Sequence, residues 1–377
     1  MKHASHERTS TDSVVVCCRL SDGTSGWGEG LPRDYVTGDT IESTLELFQS
    51  VDWNSLLDRE LKTPDDASQL VQSLDFPCSA DDPRGALGNP LRCAVELSIL
   101  DAVSRSLDFP FHEYLNTIPG AEKLIEFQPK VRYSAIVASS SMKKVKWLCR
   151  LYRLGGFRDC KVKVGIEGVD DRELLTIARR SLGTKISLRV DANESWNPEE
   201  VVRKTRELEP FRIVSIEQPV HHSQRDKLAG LRPQISIPIM LDESLCSLQD
   251  AEYAISHQLC DLFNIRLSKC GGFLNSVKIA VMAAESGLGF QMGSQVGETG
   301  ILTAAGRQFV THIQGWLAAE GSFDNHLVKE RLTKEDLTFW IDGTGKALRK
   351  PGLGMTVDQA AVDRVTVQTM THNLNVL

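Results

Sequence analysis

No stretch of the 377 residues approaches the roughly 18 consecutive apolar residues that a membrane-spanning helix needs. The opening MKHASHER also lacks the apolar core of a secretory signal, so a cytoplasmic protein with no membrane partner is expected. Positive charge is in the minority. The 43 Lys and Arg against 50 Asp and Glu leave a net charge of −7, which argues against a general nucleic-acid binder. None of the nine cysteines forms a Cys-x-x-Cys pair. Their odd number and apolar surroundings read as buried, reduced thiols rather than a disulfide framework. What is present is ordinary for a globular chain: 41% hydrophobic and 25% charged residues. The length accommodates a barrel of about 200–250 residues and a second domain.

The first 125 or so residues read as a mixed α+β unit. Val14-Val-Val-Cys-Cys-Arg-Leu is a strand, Ser21-Asp-Gly-Thr a turn, and Gly26-Trp-Gly-Glu-Gly the start of a second strand. A polar loop from Gly30 to Thr40 carries Arg33, Asp34 and Tyr35, and helical spacing follows at 41–48 and 92–107. From Lys130 the pattern changes to short β-rich runs at 131–137, 160–164, 186–190, 213–216, 237–241, 262–267, 288–292 and 313–318. Helical segments separate them, as at 171–181, 198–208 and 274–286. This rhythm implies parallel strands, and eight of them imply a closed (β/α) barrel. An open doubly wound sheet is the alternative, weakened by the lack of a Gly-x-Gly-x-x-Gly turn after the first strand. Beyond Gly321 a tail is expected to pack back on the first domain. The run of small residues from Ala135 to Ser141 reads as loop.

The charged residues fall in register with these runs. Lys161 and Lys163 lie in the second run, Asp191 ends the third, Glu217 the fourth and Asp242 the fifth. Lys269 follows the sixth and Glu298 the seventh. Counted from Lys163 the steps are 28, 26, 25, 27 and 29 residues, each about one βα unit. Each residue therefore takes the same place on successive strands, at the C-terminal mouth where barrel enzymes build their sites. Isolated carboxylates crowded there are costly unless paired or metal-bound. Three of them suit a hard cation such as Mg²⁺, and the lack of His or Cys in the set argues against zinc.

Lysines complete a coherent chemistry. Removing a proton beside a carboxylate puts charge on the carboxylate oxygens, which a bound Mg²⁺ stabilises as an enediolate. A lysine acts as base only when its pKa falls towards neutrality, and a second cation nearby lowers it by like-charge repulsion. Lys161 stands in that relation to Lys163, and Lys269 reaches the opposite face of the substrate.

At these residues the chain resembles the enolase superfamily, in its mandelate racemase/muconate-lactonizing-enzyme subgroup. The matching motifs are Lys161-Val-Lys163, Asp191-Ala-Asn, Glu217-Gln-Pro, Asp242-Glu-Ser, Lys269 with Gly271-Gly272, and Gly297-Glu298-Thr. Gly26-Trp-Gly-Glu-Gly and Pro351-Gly-Leu-Gly extend the likeness through nearly the whole chain. The resemblance implies a (β/α)₇β barrel over residues 126–320, closed by an α+β capping domain over 1–125 that the segment 321–377 completes. It implies Mg²⁺, replaceable by Mn²⁺, on Asp191, Glu217 and Asp242. Lys163 and Lys269 become acid/base residues, with Lys161 tuning Lys163. Asn193 and Glu298 support the site or orient the substrate, and the loop around Arg33–Thr37, with Tyr35, excludes water and sets specificity. A small carboxylate substrate and a homo-oligomer are expected.

Two departures from the family pattern bear on the reaction. The amino terminus is short, so an abbreviated first capping strand is expected. The dipeptide epimerases of the subgroup carry paired acids after the last strand to hold a substrate ammonium; here Asp324-Asn325-His326 has only the first. Three reactions suit the residues: muconate-type cycloisomerisation, racemisation or epimerisation of an amino-acid derivative, and syn-dehydration as in o-succinylbenzoate synthesis. An isomerase ranks first, and a catalytically silent barrel with a binding role is the contrasting class. His221-His222 reads as solvent-exposed, since adjacent side chains on an extended loop diverge. Glu167, Asp170 and Asp171 read as a solvated helix start.

Overall fold

The computed structural model describes residues 11–57, 59–77 and 82–374; the signal-segment reading of residues 1–8 and the thiol of Cys78 lie outside them. Two short strands, β1 (Val14–Arg19) and β2 (Ser25–Gly30), pair antiparallel with Val14 opposite Gly30. Helices α1 (Ile41–Ser50), α2 (Trp53–Leu57), α3 (Pro64–Gln72) and α4 (Asn89–Ser106) follow. Thr40 and Thr63 start α1 and α3 by accepting hydrogen bonds from the third helical N–H, and Ser43 and Asp66 reciprocate.

The Gly26, Gly28, Gly30 alternation puts three glycines on one face of β2, because strand side chains alternate. A Cβ at any of them would overlap the backbone of α4, at Ala102, Ala94 and Pro90 respectively. Glycine here is what lets the helix lie directly on the strand.

Strand and helix then alternate. After β3 (Lys130–Arg132) come β4 (Ala135–Val137), α5 (Met142–Gly155), β5 (Asp159–Lys163), α6 (Asp171–Leu182), β6 (Ser187–Asp191) and α7 (Pro198–Leu208). The series continues through β7 (Ile213–Glu217), α8 (Lys227–Leu231), β8 (Ile239–Leu241), α9 (Leu248–Ser256) and β9 (Leu262–Ile265). It ends with α10 (Phe273–Glu285), β10 (Gly289–Met292), α11 (Gly300–His312) and β11 (Trp316–Ala319). Strands β4 to β11 form one parallel sheet in chain order. A parallel bridge from Tyr133 to Ala319, with Ser134 N donating to Ala319 O at 2.7 Å, ties the approach to β4 to the end of β11. The sheet is therefore curled.

Each expected run overlaps a strand, with bounds shifted by a residue in several and two larger corrections. The run at 131–137 is split: β3 leaves the sheet to pair with β12 (Thr344–Lys346), and only β4 joins it. Ala135 to Val137 is thus strand rather than loop, its small residues fitting a buried position against β5. The last strand begins at Trp316 rather than at Ile313, because Gly315 adopts φ +85° and breaks the extended run.

Beyond β11 the chain forms α12 (Asp324–Leu327), β12 and α13 (Gln359–Val365). It reaches α4 again, where Leu353 N donates to Asp101 Oδ1 at 2.7 Å and Arg105 donates to Met355 O at 2.7 Å. Among the described residues no helix is long and apolar enough to cross a membrane.

Candidate active site

Parallel pairing brings the charged strand ends together. Lys163 is the register partner of Asp191, and Asp191 of Glu217. Asp242 follows β8 directly, and Lys269 and Glu298 follow β9 and β10. Lys163, Asp191 and Glu217 thus stand at one level, whereas Asp242, Lys269 and Glu298 lie one, four and six residues past the ends of their strands. Just past them, Asn193, Glu194 and Gln218 take positive φ values of 43°, 66° and 38°, so the loops turn sharply at this edge.

Lys161 and Lys163 are two residues apart on β5 and share a face. Lys161 is buried and binds Glu217 at 3.1 Å and Glu320 at 2.8 Å, with Asp191 at 3.6 Å. Burial would lower its pKa, but Glu217, Glu320 and Asp191 outweigh burial and hold it above the ordinary lysine value. Lys161 is thus a fixed positive charge beside the acids. Lys163, nearer the opening, donates to Asn193 Oδ1 at 2.6 Å.

Lys269 is fully buried, donating to the carbonyls of Asp242 and Leu245 and pairing with Asp242 Oδ1 at 2.9 Å. Burial holds its pKa below the ordinary lysine value, and Arg266 acts in the same direction.

The donor set fits a hard divalent cation on chemical grounds. Asp191, Glu217 and Asp242 are buried, and neither Asp242 oxygen accepts a hydrogen bond. A carboxylate in that state needs a cation, and an all-oxygen set suits Mg²⁺. The chain meets this need with its own cations. Arg266 contacts Asp242 and lies 3.8 Å from Glu217, as Lys161 lies between Glu217 and Asp191.

Five polar residues of this interior, Glu320, Arg189, Asn264, Glu243 and Arg266, have no role assigned from the sequence. Glu320 directly follows β11 and joins Lys161 to Arg189, at 2.9 Å from the latter. Asn264 Nδ2 donates to Glu217 at 2.8 Å. Glu243, next to Asp242, is pushed up to about 8 by burial, with Glu194 and Asp191 adding to the effect. An acid immediately after the apolar Trp-Leu-Ala-Ala run was the available signal for Glu320.

The loop at 30–38 packs against the segments that follow β8, β9 and β10. Leu31 N donates to Ser268 Oγ at 2.8 Å, and Val36 packs with Ala86 and Cys246, with Tyr35 against that cluster. Arg33 is buried, its guanidinium donating to the carbonyls of Asp12 (2.9 Å), Pro32 (2.6 Å) and Val296 (3.1 Å). It fastens this loop to the one after β10.

Glu298 accepts from Gln295 N at 2.6 Å and is pushed up to about 8 by burial, with nearby Glu29 adding. Glu29, from the glycine-rich strand, accepts from Thr299 N and Leu302 N, both at 3.0 Å, and so caps α11. Asp324 is buried on α12 and accepts from Thr303 Oγ1 at 2.8 Å.

Two expectations at the helix starts and loops change. Asp170 caps α6 as expected, but Asp171 is half-buried and accepts from Gly165 N at 2.8 Å. His221 and His222 converge rather than diverge, with ring centroids 4.2 Å apart. His222 Nδ1 lies 2.8 Å from Glu194 Oε1.

Comparison with known proteins gives a consistent result. Residues 144–361 match the family model described as enolase C-terminal domain-like. The chain is 26% identical over 369 residues to the N-succinyl-L-Arg/Lys racemase of Bacillus cereus, covering 94% of this chain and 90% of that protein. A crystal structure of N-succinyl Arg/Lys racemase from that organism matches with a TM-score of 0.80 at 23% identity, over 95% of this chain and 91% of that one. The hydrophobic dipeptide epimerase of Enterococcus faecalis is 27% identical over 299 residues, 78% of each chain. Muconate cycloisomerase from Pseudomonas fluorescens shares the fold, with a TM-score of 0.79 at 23% identity over 94% of each chain.

Proposed function

The chain belongs to the enolase C-terminal domain-like family, and from that premise we propose that it is a Mg²⁺-dependent racemase or epimerase of an amino-acid-derived carboxylate. We read the curled sheet with its seven helices as a (β/α)₇β barrel over residues 126–320. The α+β unit before it, with limit near residue 125, is the cap, and the segment from 321 completes that cap. The loop at 30–38 then covers the site.

One observation carries the reading. Lys163 ends β5 and Lys269 follows β9, four strands apart in an order of eight, with the three buried acids on the strands between. A substrate carboxylate held at those acids would present its α-carbon to one lysine on each face. Lys163 or Lys269 takes the proton from one face, and the other delivers a proton from the opposite face. Asp191, Glu217 and Asp242 would hold the metal ion, which when bound supplies positive charge to the substrate carboxylate. Lys161 stays protonated and keeps the acids balanced. Asn193 positions Lys163 through the 2.6 Å hydrogen bond. Arg33 holds the covering loop shut against water by its three carbonyl contacts.

Relatives named as racemases and epimerases of N-acyl amino acids and dipeptides support this over a one-face reaction. The likeness to muconate cycloisomerase is one of fold. The test is a screen of the Mg²⁺-loaded protein against N-acyl amino acids, dipeptides, muconates and o-succinylbenzoate precursors, followed by polarimetry and proton NMR. Inversion at an α-carbon in the first two groups is expected. Turnover confined to muconates or succinylbenzoate precursors contradicts the proposal.

A further inference from the structure

A second ligand set stands at the edge of the site, built from two imidazoles and a carboxylate. Among the described residues, Glu194, His221 and His222 are the one trio of potential metal ligands whose donor atoms all lie within 4.8 Å of one another. We propose that they form a second cation site, for a borderline transition ion such as Zn²⁺, separate from the three-carboxylate set.

The fold makes this juxtaposition. β6 and β7 are neighbours in register, and the loops that follow them are joined by Glu194 N donating to Gln218 O at 2.8 Å. Glu194 has φ +66°, a left-handed conformation that a non-glycine residue adopts only when its surroundings impose it. His222 meets the Glu194 carboxylate through both its backbone N, at 2.7 Å, and its Nδ1, at 2.8 Å. His221 caps the short turn that follows it, its Nδ1 accepting from Ser223 N at 3.3 Å, and this fixes its ring beside that of His222. That exposed ring is tilted 32° to the half-buried His222 ring, with the centroids 4.2 Å apart.

The chemistry separates the two sets. Asp191, Glu217 and Asp242 offer only oxygen and suit a hard ion. Two imidazole nitrogens with one carboxylate suit zinc, with a further position left for water. Tetrahedral zinc with these ligands needs donor atoms roughly 3.4 Å apart. The Glu194–His222 separation is already within that, and only the exposed His221 ring has to rotate. His221 Nδ1 accepts from Ser223 N at 3.3 Å and lies 2.8 Å from Ser223 Oγ, so an ion on Nε2 requires the ring proton to move to Nδ1, where Ser223 Oγ can accept it. The ion would sit one residue from Asn193, the group that holds Lys163.

The experiment uses the full chain saturated with Mg²⁺, dialysed against Zn²⁺ and then washed, with retained metals counted by elemental analysis. Wild type should retain one equivalent of Zn²⁺ without losing Mg²⁺, and Co²⁺ in its place should give the visible absorption of a low-coordinate nitrogen-ligated ion. The His221→Ala/His222→Ala double variant should lose that equivalent and that absorption while retaining Mg²⁺. Glu194→Gln should lose the equivalent too, with circular dichroism reporting that both variants are folded. Failure of wild type to retain extra Zn²⁺ overturns the proposal. So does retention by the double variant, which would place the ion elsewhere, for instance on Cys17 and Cys18. Neither result bears on the lysines or on the proposed reaction.

Discussion

Single side chains set the terms of this site through the way buried charges are balanced. Lys161 answers Glu217, Glu320 and Asp191, whereas Asp242 has no hydrogen-bond donor and faces Arg266 and Lys269. Arg266 is therefore a competitor for whatever cation the acids bind. Arg266→Met should tighten Mg²⁺ binding, and Asp242→Asn should weaken it by about a hundredfold, both read by calorimetric titration. Equal affinities in wild type and both variants would remove the acids from the metal assignment. The six charges in register were legible because βα units repeat at nearly constant length. Glu320 was not, because it falls only 22 residues after Glu298 and so out of step with the 25–29-residue series. Arg189 and Arg266 were hidden for a different reason: an arginine inside an apolar run reads as a surface residue until the partners that neutralise it are known. The convergence of His221 and His222 depends on hydrogen bonds between His221 and Ser223 and between His222 and Glu194, and the second partner lies on another loop that sequence does not place.

At the scale of elements, the close approach of α4 to β2 fixes where the first unit meets the sheet. Gly28 has the backbone of Ala94 and Ser98 where a Cβ would be, and the flanking Glu29 caps α11. Gly28→Ala should lower unfolding stability by about 1–3 kcal/mol through overpacking, measured by urea unfolding. Stability equal to wild type would mean that α4 can shift off the strand without cost. The strand-helix rhythm was readable because apolar runs of strand length alternate with helical spacing. The pairing of β3 with β12 was not, since three-residue strands carry little pattern and their partner lies far along the chain. β11 starts three residues after the apolar run does, because the conformation of Gly315, not hydrophobicity, decides it.

For the whole molecule, a net charge of −7 is carried partly by acids buried where folding disfavours their ionised form. Burial pushes Glu29 up to about 7 and Glu298 up to about 8, from an ordinary 4.5. Both groups hold a proton more tightly folded than unfolded, so the folded state binds more protons between about pH 4.5 and 8. Their contribution is complete below about pH 4.5 and is lost as pH rises through about 8. Urea unfolding of metal-free protein across that range should show stability falling with rising pH, and Glu298→Gln should flatten the fall. A slope that the variant leaves unchanged would exclude Glu298 as its source. The central proposal is that Lys163 and Lys269, four strands apart in the curled sheet, act on opposite faces of the substrate, and proton exchange in D₂O tests it most directly. With a substrate that the Mg²⁺-loaded enzyme inverts, wild type should place deuterium at the α-carbon of both enantiomers. Lys269→Ala should still exchange the α-proton of one enantiomer while losing interconversion, and Lys163→Ala should do the same for the other enantiomer. Loss of exchange from both enantiomers in either variant, with folding and metal binding intact, would contradict the two-base account.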